Sequence, residues 1–257
     1  MTVHYETEGP IAIVTIDRPK VANAVDGPTA SKLVELFEKF DRDDDLSVAI
    51  LTGASGKFSA GGDLKAIMGG SDSIAVTLDG HGPLGPTRMM LSKPVIAAVE
   101  GHAVAGGLEL ALWCDMRVTA RNATFGVYCR RWGVPLCDGG TVRLPRLIGQ
   151  SHALDMILTG RGVGAEEAAR MGLVNRLCEP GEALKEARAL ATSLARLPQA
   201  CLRSDRRSAY EQWDLELSAA LRRESELGLA VISSGEMVNG LGRWSSGAWS
   251  PAEFSDA

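Results

Sequence analysis

Apolar and polar positions along the first hundred residues change period several times, and each period predicts an element. His4 to Thr7 and the β-branched run Ile11, Ile13, Val14, Thr15, Ile16 read as two strands either side of a Gly9-Pro10 turn. A helix follows. Asp26 suits its cap and Pro28 its first turn, while Leu33, Leu36, Phe37 and Phe40 recur at i, i+3, i+4 and i+7. Val48 to Leu51, closed by Thr52-Gly53, is a short buried-strand pattern. Pro94 to Val99, closed by Gly101, repeats it. Strands that alternate with helices predict an α/β protein. Gly69 to Thr87, rich in Gly, Ser, Asp and Pro, has no period and predicts a mobile loop. From Glu182 onward the pattern is helical. One stripe is Leu184, Ala187, Leu190, Ala191 and Leu194, and a second is Trp213, Leu217, Ala220, Leu227 and Val231.

Charge and cysteine usage narrow the function classes. The net charge is −5, and the densest basic group, Arg203, Arg206 and Arg207, is interrupted by Ser204 and Asp205. A nucleic-acid partner would call for a denser patch, so none is expected. The longest apolar stretch, from Val95, is broken by Glu100, His102 and Glu109, too early for a membrane span. The opening MTVHYETEGP has neither the basic nor the apolar region of a signal peptide. Cys114, Cys129, Cys137, Cys178 and Cys201 are scattered, with no paired spacing. They fit reduced thiols in a cytoplasmic protein. His4, His81, His102 and His152 have no ligand spacing either, so no metal site is expected.

Gly80 to Gly85, GHGPLG, matches the dinucleotide pattern G-x-G-x-x-G. It follows no strand and carries Pro83 where backbone N–H groups would be wanted, so it is set aside. Two other small-residue turns stand at strand-to-helix junctions: Ser59-Ala60-Gly61-Gly62-Asp63 before a short helix, and Ala105-Gly106-Gly107 before Leu108 to Trp113. Backbone N–H groups at such junctions can stabilise negative charge on an oxygen without reorganising, and small residues let a substrate touch the backbone. Either turn alone is an ordinary tight connection. Set in FSAGGDLK (Phe58 to Lys65) and AVEGHAVAGGLELALWCD (Ala98 to Asp115), the two together resemble the paired oxyanion-hole motifs of the crotonase (enoyl-CoA hydratase/isomerase) superfamily. Ile16 to Lys20 with Asn23-Ala24, and later Gly160, Ala165 to Ala168 and Gly172 to Val174, extend the resemblance over nearly the whole chain.

The resemblance implies a spiral of ββα units over residues 1–195 that binds acyl-CoA. It also implies a C-terminal helical trimerisation region over 196–257, assembled as a homotrimer or hexamer. It makes Gly62 and Gly106 the oxyanion donors. Ala22, Ala24, Ala60, Asp63 and Leu64 would line the path of the adenine and pantetheine. The substrate would be a coenzyme A thioester, with no further cofactor.

Glu109 matches one of two glutamates that hydratases of the family use. It is also the only charge between Gly106 and Trp113 in an apolar helix, where a lone ion costs several kcal/mol in order of magnitude. The second glutamate should follow Phe125-Gly126, but its place holds Cys129. Asp138 offers an alternative. It resembles an aspartate that some dienoyl-CoA isomerases place in the pocket, and it also suits the N-cap of a helix over Gly140 to Ile148. Arg130 and Arg131 either pair with one of these acids or face solvent. Enoyl-CoA hydratase is the first expectation, with enoyl-CoA or dienoyl-CoA isomerase as the alternative. A non-catalytic acyl-CoA-binding or RNA-binding member is the alternative of another class.

Overall fold

The computed structural model describes residues 2–70 and 73–247. Strands β1 (Val3–Glu8) and β2 (Ile11–Ile16) form the expected hairpin, with Val3 opposite Ile16. Helix α1 (Gly27–Arg42) starts as its sequence requires. Asp26 accepts a hydrogen bond from the Thr29 N–H at 2.9 Å, and Leu33, Phe37 and Phe40 are buried. Strand β3 (Val48–Gly53) then runs parallel to β2. Helix α2 (Leu64–Gly69) is capped by Asp63, and β4 (Val95–Val99) pairs in parallel with β3.

Past β4 the chain makes strands that the hydrophobic pattern did not announce. These are β5 (His102–Val104), then β6 (Met116–Ala120) and β7 (Thr124–Gly126) after helix α3 (Gly106–Trp113). Helices α4 (Gly140–Ile148) and α5 (Gln150–Thr159) precede β8 (Gly162–Gly164). Helix α6 (Ala165–Arg170) and β9 (Arg176–Cys178) follow. The main sheet has the order β1-β2-β3-β4-β6-β9, parallel beyond the first hairpin, and a smaller sheet has the order β5-β7-β8. The three-residue strands are too short to show a period of two, which is why the sequence concealed them.

The central strands bury both faces. Ala12, Val14, Ala49, Leu51, Ala97 and Val99 join the large core with α1 and α3, whereas Ile13, Ile50, Ile96, Ala98 and Val118 face the other way. Helix α7 (Ala183–Ala195) covers that second face with Ala183, Ala187, Leu190 and Ala191. The first C-terminal stripe is therefore spent inside this chain and is not free for assembly. Arg117 is buried and donates to the carbonyl oxygens of Ala111, Cys114 and Leu173, which ties the end of α3 to the chain before β9.

Helices α8 (Gln199–Glu211), α9 (Leu217–Ser233) and α10 (Glu236–Ser245) complete the described chain. The second predicted stripe is interrupted, because Trp213 lies in a short 3-10 turn before α9 starts. Helix α8 is anchored by Arg206 and Tyr210, which both reach Asp115 Oδ1, at 2.7 and 2.8 Å. No described residue of α8, α9 or α10 is buried. No helix among the described residues is long and apolar enough to cross a membrane.

Candidate active site

Two junctions meet at one place. Ser59 to Asp63 leaves β3 toward α2, and its backbone is stitched to Ala22–Val25. Ala60 donates to the Ala22 oxygen (3.0 Å), Val25 to the Gly61 oxygen (2.7 Å), and Asp63 to the Val25 oxygen (2.8 Å). The left-handed backbone at Ala22 (φ 53°) and Asn23 (φ 55°) turns that segment tightly enough to allow this. Asn23 donates to the carbonyl oxygens of Ala54 and Lys57 and accepts from the Arg18 N–H, so one buried amide fixes three stretches of chain. Arg18 pairs with both Asp26 (2.6 Å) and Asp63 (3.1 Å). The Asp63 carboxylate also accepts from the N–H groups of Lys65 and Ala66. Of the expected acyl-CoA-path residues, the structure thus brings Ala22, Ala24, Ala60 and Asp63 together. Asp63 acts there as a cap and ion-pair partner, and Leu64 is exposed.

The second junction, Ala105 to Gly107, lies against the first. A Cβ on Gly61 would stand 2.5 Å from the Gly106 nitrogen and 3.2 Å from the Ala105 Cβ. Only glycine permits this approach, and Gly61 also has a positive φ of 91°. Ala105 enters α3 at φ 51°, ψ −127°, a conformation that side chains avoid, at a cost of about 1–3 kcal/mol. The N–H groups of Gly62 and Gly106 have no hydrogen-bond partner among the described residues. Gly106 is the first residue of α3, so its N–H also lies at the positive end of the helix dipole. Both glycines face the side chain of Leu84. A Cβ on Gly106 would overlap Leu84 Cδ1, and one on Gly62 would lie 4.0 Å from Leu84 Cδ2, with Ile74 and Ile67 completing the wall.

Glu109, on the first turn of α3, is 3% exposed. Its Oε1 accepts from the N–H groups of Asp138 and Gly140, each at 2.8 Å. Burial pushes its pKa up to about 7. The two N–H groups lower it, and the neighbouring Asp138 charge raises it further. Cys129 is buried and senses the Glu109 charge. Burial first, and Glu109 second, raise its pKa, so the thiol stays neutral and is no base.

Of the two readings of Asp138, one is excluded. The residue does not cap α4: the cap position is Gly139, with no side-chain hydrogen bond. Its carboxylate turns away from the helix. Oδ1 accepts from the Leu84 N–H at 2.9 Å and from the Thr87 hydroxyl. Arg130 and Arg131 take the second of their two expected places, for both are exposed and pair with neither acid. They donate to the carbonyl oxygens of Ile157 and Gly160, and Arg131 also lies over the Tyr128 ring. The stretch from residue 73 to 85 is irregular as expected, but its end is held. Gly82-Pro83-Leu84-Gly85 closes a turn through the Gly85 N–H and the Gly82 oxygen at 2.8 Å. This is the segment whose dinucleotide reading was set aside. Leu84 and Thr87 were not legible as site residues in the sequence, where the Pro-x-Gly turn was the one signal of their order.

An unpartnered amide at the start of α3, an approach only glycine allows and a buried glutamate three residues on stand at the positions through which the chain resembles the crotonase superfamily. The comparisons agree: an enoyl-CoA hydratase/isomerase family profile matches residues 6–245. The chain belongs to that family. Among relatives of the enoyl-CoA hydratase/isomerase family, the carnitinyl-CoA dehydratase of Salmonella typhi is 45% identical over 195 residues, 75% of this chain and 74% of that protein. Two solved structures share the fold closely. The enoyl-CoA hydratase EchA1 of Mycobacterium marinum has a TM-score of 0.90 at 37% identity, over 95% of this chain and 96% of that one. An enoyl-CoA hydratase of Mycobacterium tuberculosis H37Rv has a TM-score of 0.91 at 38% identity, with the same coverage. This protein is therefore an enzyme of the hydratase/isomerase family, whose members act on acyl-CoA thioesters.

Proposed function

We propose that this protein adds water reversibly to the double bond of a 2-enoyl-CoA. In that reading the thioester oxygen rests on the N–H groups of Gly62 and Gly106, which take up the negative charge that develops there. Glu109 is the proton carrier. The observation that carries the reading is this one buried carboxyl group, poised near pH 7 three residues from an unpartnered amide. At that pKa it takes a proton from water as the oxygen adds to the β carbon and delivers it to the α carbon; in reverse it takes the α proton and gives it to the leaving hydroxyl. No cofactor beyond the thioester's own coenzyme A takes part. The name of the Salmonella relative supports the dehydration direction, although its acyl group is not carried over.

A second reading follows from Cys129. A neutral thiol in place of the second carboxylate leaves Glu109 as the one acid–base at this spot, which suffices to shuttle a proton between two carbons in a double-bond isomerase. The deciding experiment incubates the purified protein with crotonyl-CoA and with a 3-enoyl-CoA and follows each thioester. Hydration of crotonyl-CoA that is lost in Glu109→Gln supports the first reading. Turnover of the 3-enoyl-CoA alone supports the second, and turnover of neither rejects both. We further propose that the exposed α9 and α10 faces, which carry Leu221, Leu229, Ile232, Leu241 and Trp244, assemble the chain as a trimer or a multiple of it.

A further inference from the structure

Asp138 is a buried acid beside Glu109, and its contacts point away from proton transfer. Its Oδ1 takes the Leu84 N–H and the Thr87 hydroxyl, and Arg143 braces the same contact by donating to the carbonyl oxygens of Asp138 (2.9 Å) and Thr87 (2.6 Å). Gly82 is part of the fit. A Cβ there would collide with the Thr87 hydroxyl and come within 2.8 Å of Asp138 Oδ1. Gly85, at φ 92°, seats the other end of the turn on the Ala30 carbonyl of α1. Pro83 stiffens the turn at its second position. The product of all these contacts is the placement of one side chain. Leu84, 1% exposed, lies with its two methyl groups over Gly106 and Gly62.

We propose that Asp138 is a positioning residue whose carboxylate latches the Gly82–Thr87 loop. The latch holds Leu84 as a roof over the two oxyanion glycines and so confines the enzyme to thioesters unbranched at the α carbon. The inference rests on the oxyanion assignment above. A thioester oxygen held by those two amides keeps its carbonyl carbon and α carbon within one and two bonds of it, in reach of the Leu84 methyl groups that fill the side-chain space of Gly106 and Gly62. A methyl branch on the α carbon meets the Leu84 methyl groups, which the latch prevents from withdrawing. Asp138 also offers its own N–H to Glu109, so the carboxylate that fixes the roof and the amide that fixes the acid–base belong to one residue.

The test separates latch from catalyst by comparing three variants on crotonyl-CoA and on its 2-methyl homologue. Leu84→Ala is expected to raise the 2-methyl to unbranched ratio of kcat/KM at least tenfold. Asp138→Ala frees the loop and is expected to raise the same ratio while lowering kcat/KM on crotonyl-CoA. Asp138→Asn keeps an oxygen for both donors and is expected to recover at least tenfold of that loss and to restore the ratio. An acid–base role predicts the reverse, with Asn as damaging as Ala, since neither carries a proton. That result, or a Leu84→Ala ratio equal to wild type, overturns the proposal. Hydrogen exchange gives a readout independent of turnover. The Leu84 amide should lose protection in Asp138→Ala and keep it in Asp138→Asn. If wild type turns over neither thioester while the exchange pattern holds, the functional reading has failed and the latch stands. If Leu84 exchanges alike in all variants, the latch itself has failed.

Discussion

Replacing Glu109 by Gln should abolish turnover and, at alkaline pH, make the protein more stable. The reasoning starts from the shift. Burial raises the carboxyl from 4.5 to about 7, so the folded state prefers the protonated form more than the unfolded chain does. A raised carboxyl pKa favours folding fully below the unfolded value, and that advantage is lost as pH climbs through the folded value. Between pH 4.5 and 7 the folded protein therefore becomes progressively less stable relative to a neutral side chain. The two pKa values give a penalty under about 1 kcal/mol at pH 5 and about 3 kcal/mol at pH 8. Gln carries no such penalty, and its Oε1 can still accept from the Asp138 and Gly140 N–H groups. Part of the gain is offset because those bonds lose the strengthening of a charged acceptor. Urea unfolding of wild type and Glu109→Gln at pH 5 and pH 8 measures the difference. The variant should gain roughly 2 kcal/mol more, relative to wild type, at the higher pH. A pH-independent difference, or a variant less stable than wild type at pH 8, would refute the claim that Glu109 is buried against its own charge.

The remaining expectations concern the backbone and the assembly. Gly61→Ala forces a Cβ toward the Gly106 nitrogen at positive φ and should cost about 2–4 kcal/mol in urea unfolding. Any folded fraction should bind acyl-CoA poorly. Ala105→Gly relieves an unfavourable φ, ψ pair and should stabilise by about 1 kcal/mol, less the entropy glycine adds to the unfolded chain. A loss of stability would show that this conformation is not strained. Sedimentation at micromolar concentration should give a trimer or a multiple of it, and a monomer would leave the apolar α9 and α10 faces without an explanation.

Periodic segments were legible and contact-defined ones were not. Strands β2 to β4 and helix α1 announced themselves because each is long enough to show its period, and Asp26 marked the start of α1. Strands β5, β7 and β8 have three residues each and exist through pairing with one another, which no local pattern records. The α7 stripe was visible but its target was not. An apolar helix face reads the same whether it covers its own sheet or a neighbouring subunit. At the site, Gly62 and Gly106 were legible through the family resemblance, and Glu109 through that and as a lone charge in an apolar helix. Leu84 was not, because a leucine in a loop looks like any other until the structure places it over two glycines. Asp138 was legible as a residue with two readings, a pocket acid or a helix cap, and the sequence did not decide between them. Aspartate before a helix usually serves the helix, but Gly139, in a left-handed conformation, takes the cap position and frees the side chain for the loop.

The two glycine junctions and the acid–base glutamate depend on one another through the start of α3. Ala105 takes its unfavourable backbone conformation where the chain leaves β5 and Gly106 begins the helix. Gly61 must lack a side chain for the Gly106 N–H to lie beside the Ser59–Asp63 junction. Once α3 starts there, its one turn of rise carries Glu109 inward, where every later residue of the helix to Trp113 is also buried. The helix dipole and the two N–H groups from Asp138 and Gly140 favour the anion, yet burial outweighs them and holds the group near neutrality. A stronger set of donors would have left a permanent carboxylate, which can accept a proton but has little tendency to give one back. A drier site would have left a permanent acid, unable to take a proton from water. In the proposed reaction, a balance at about 7 is what one residue needs to serve both halves of a reversible proton transfer, and the turn that moderates it, 138–140, is the one from which Asp138 reaches out to the Gly82–Thr87 loop.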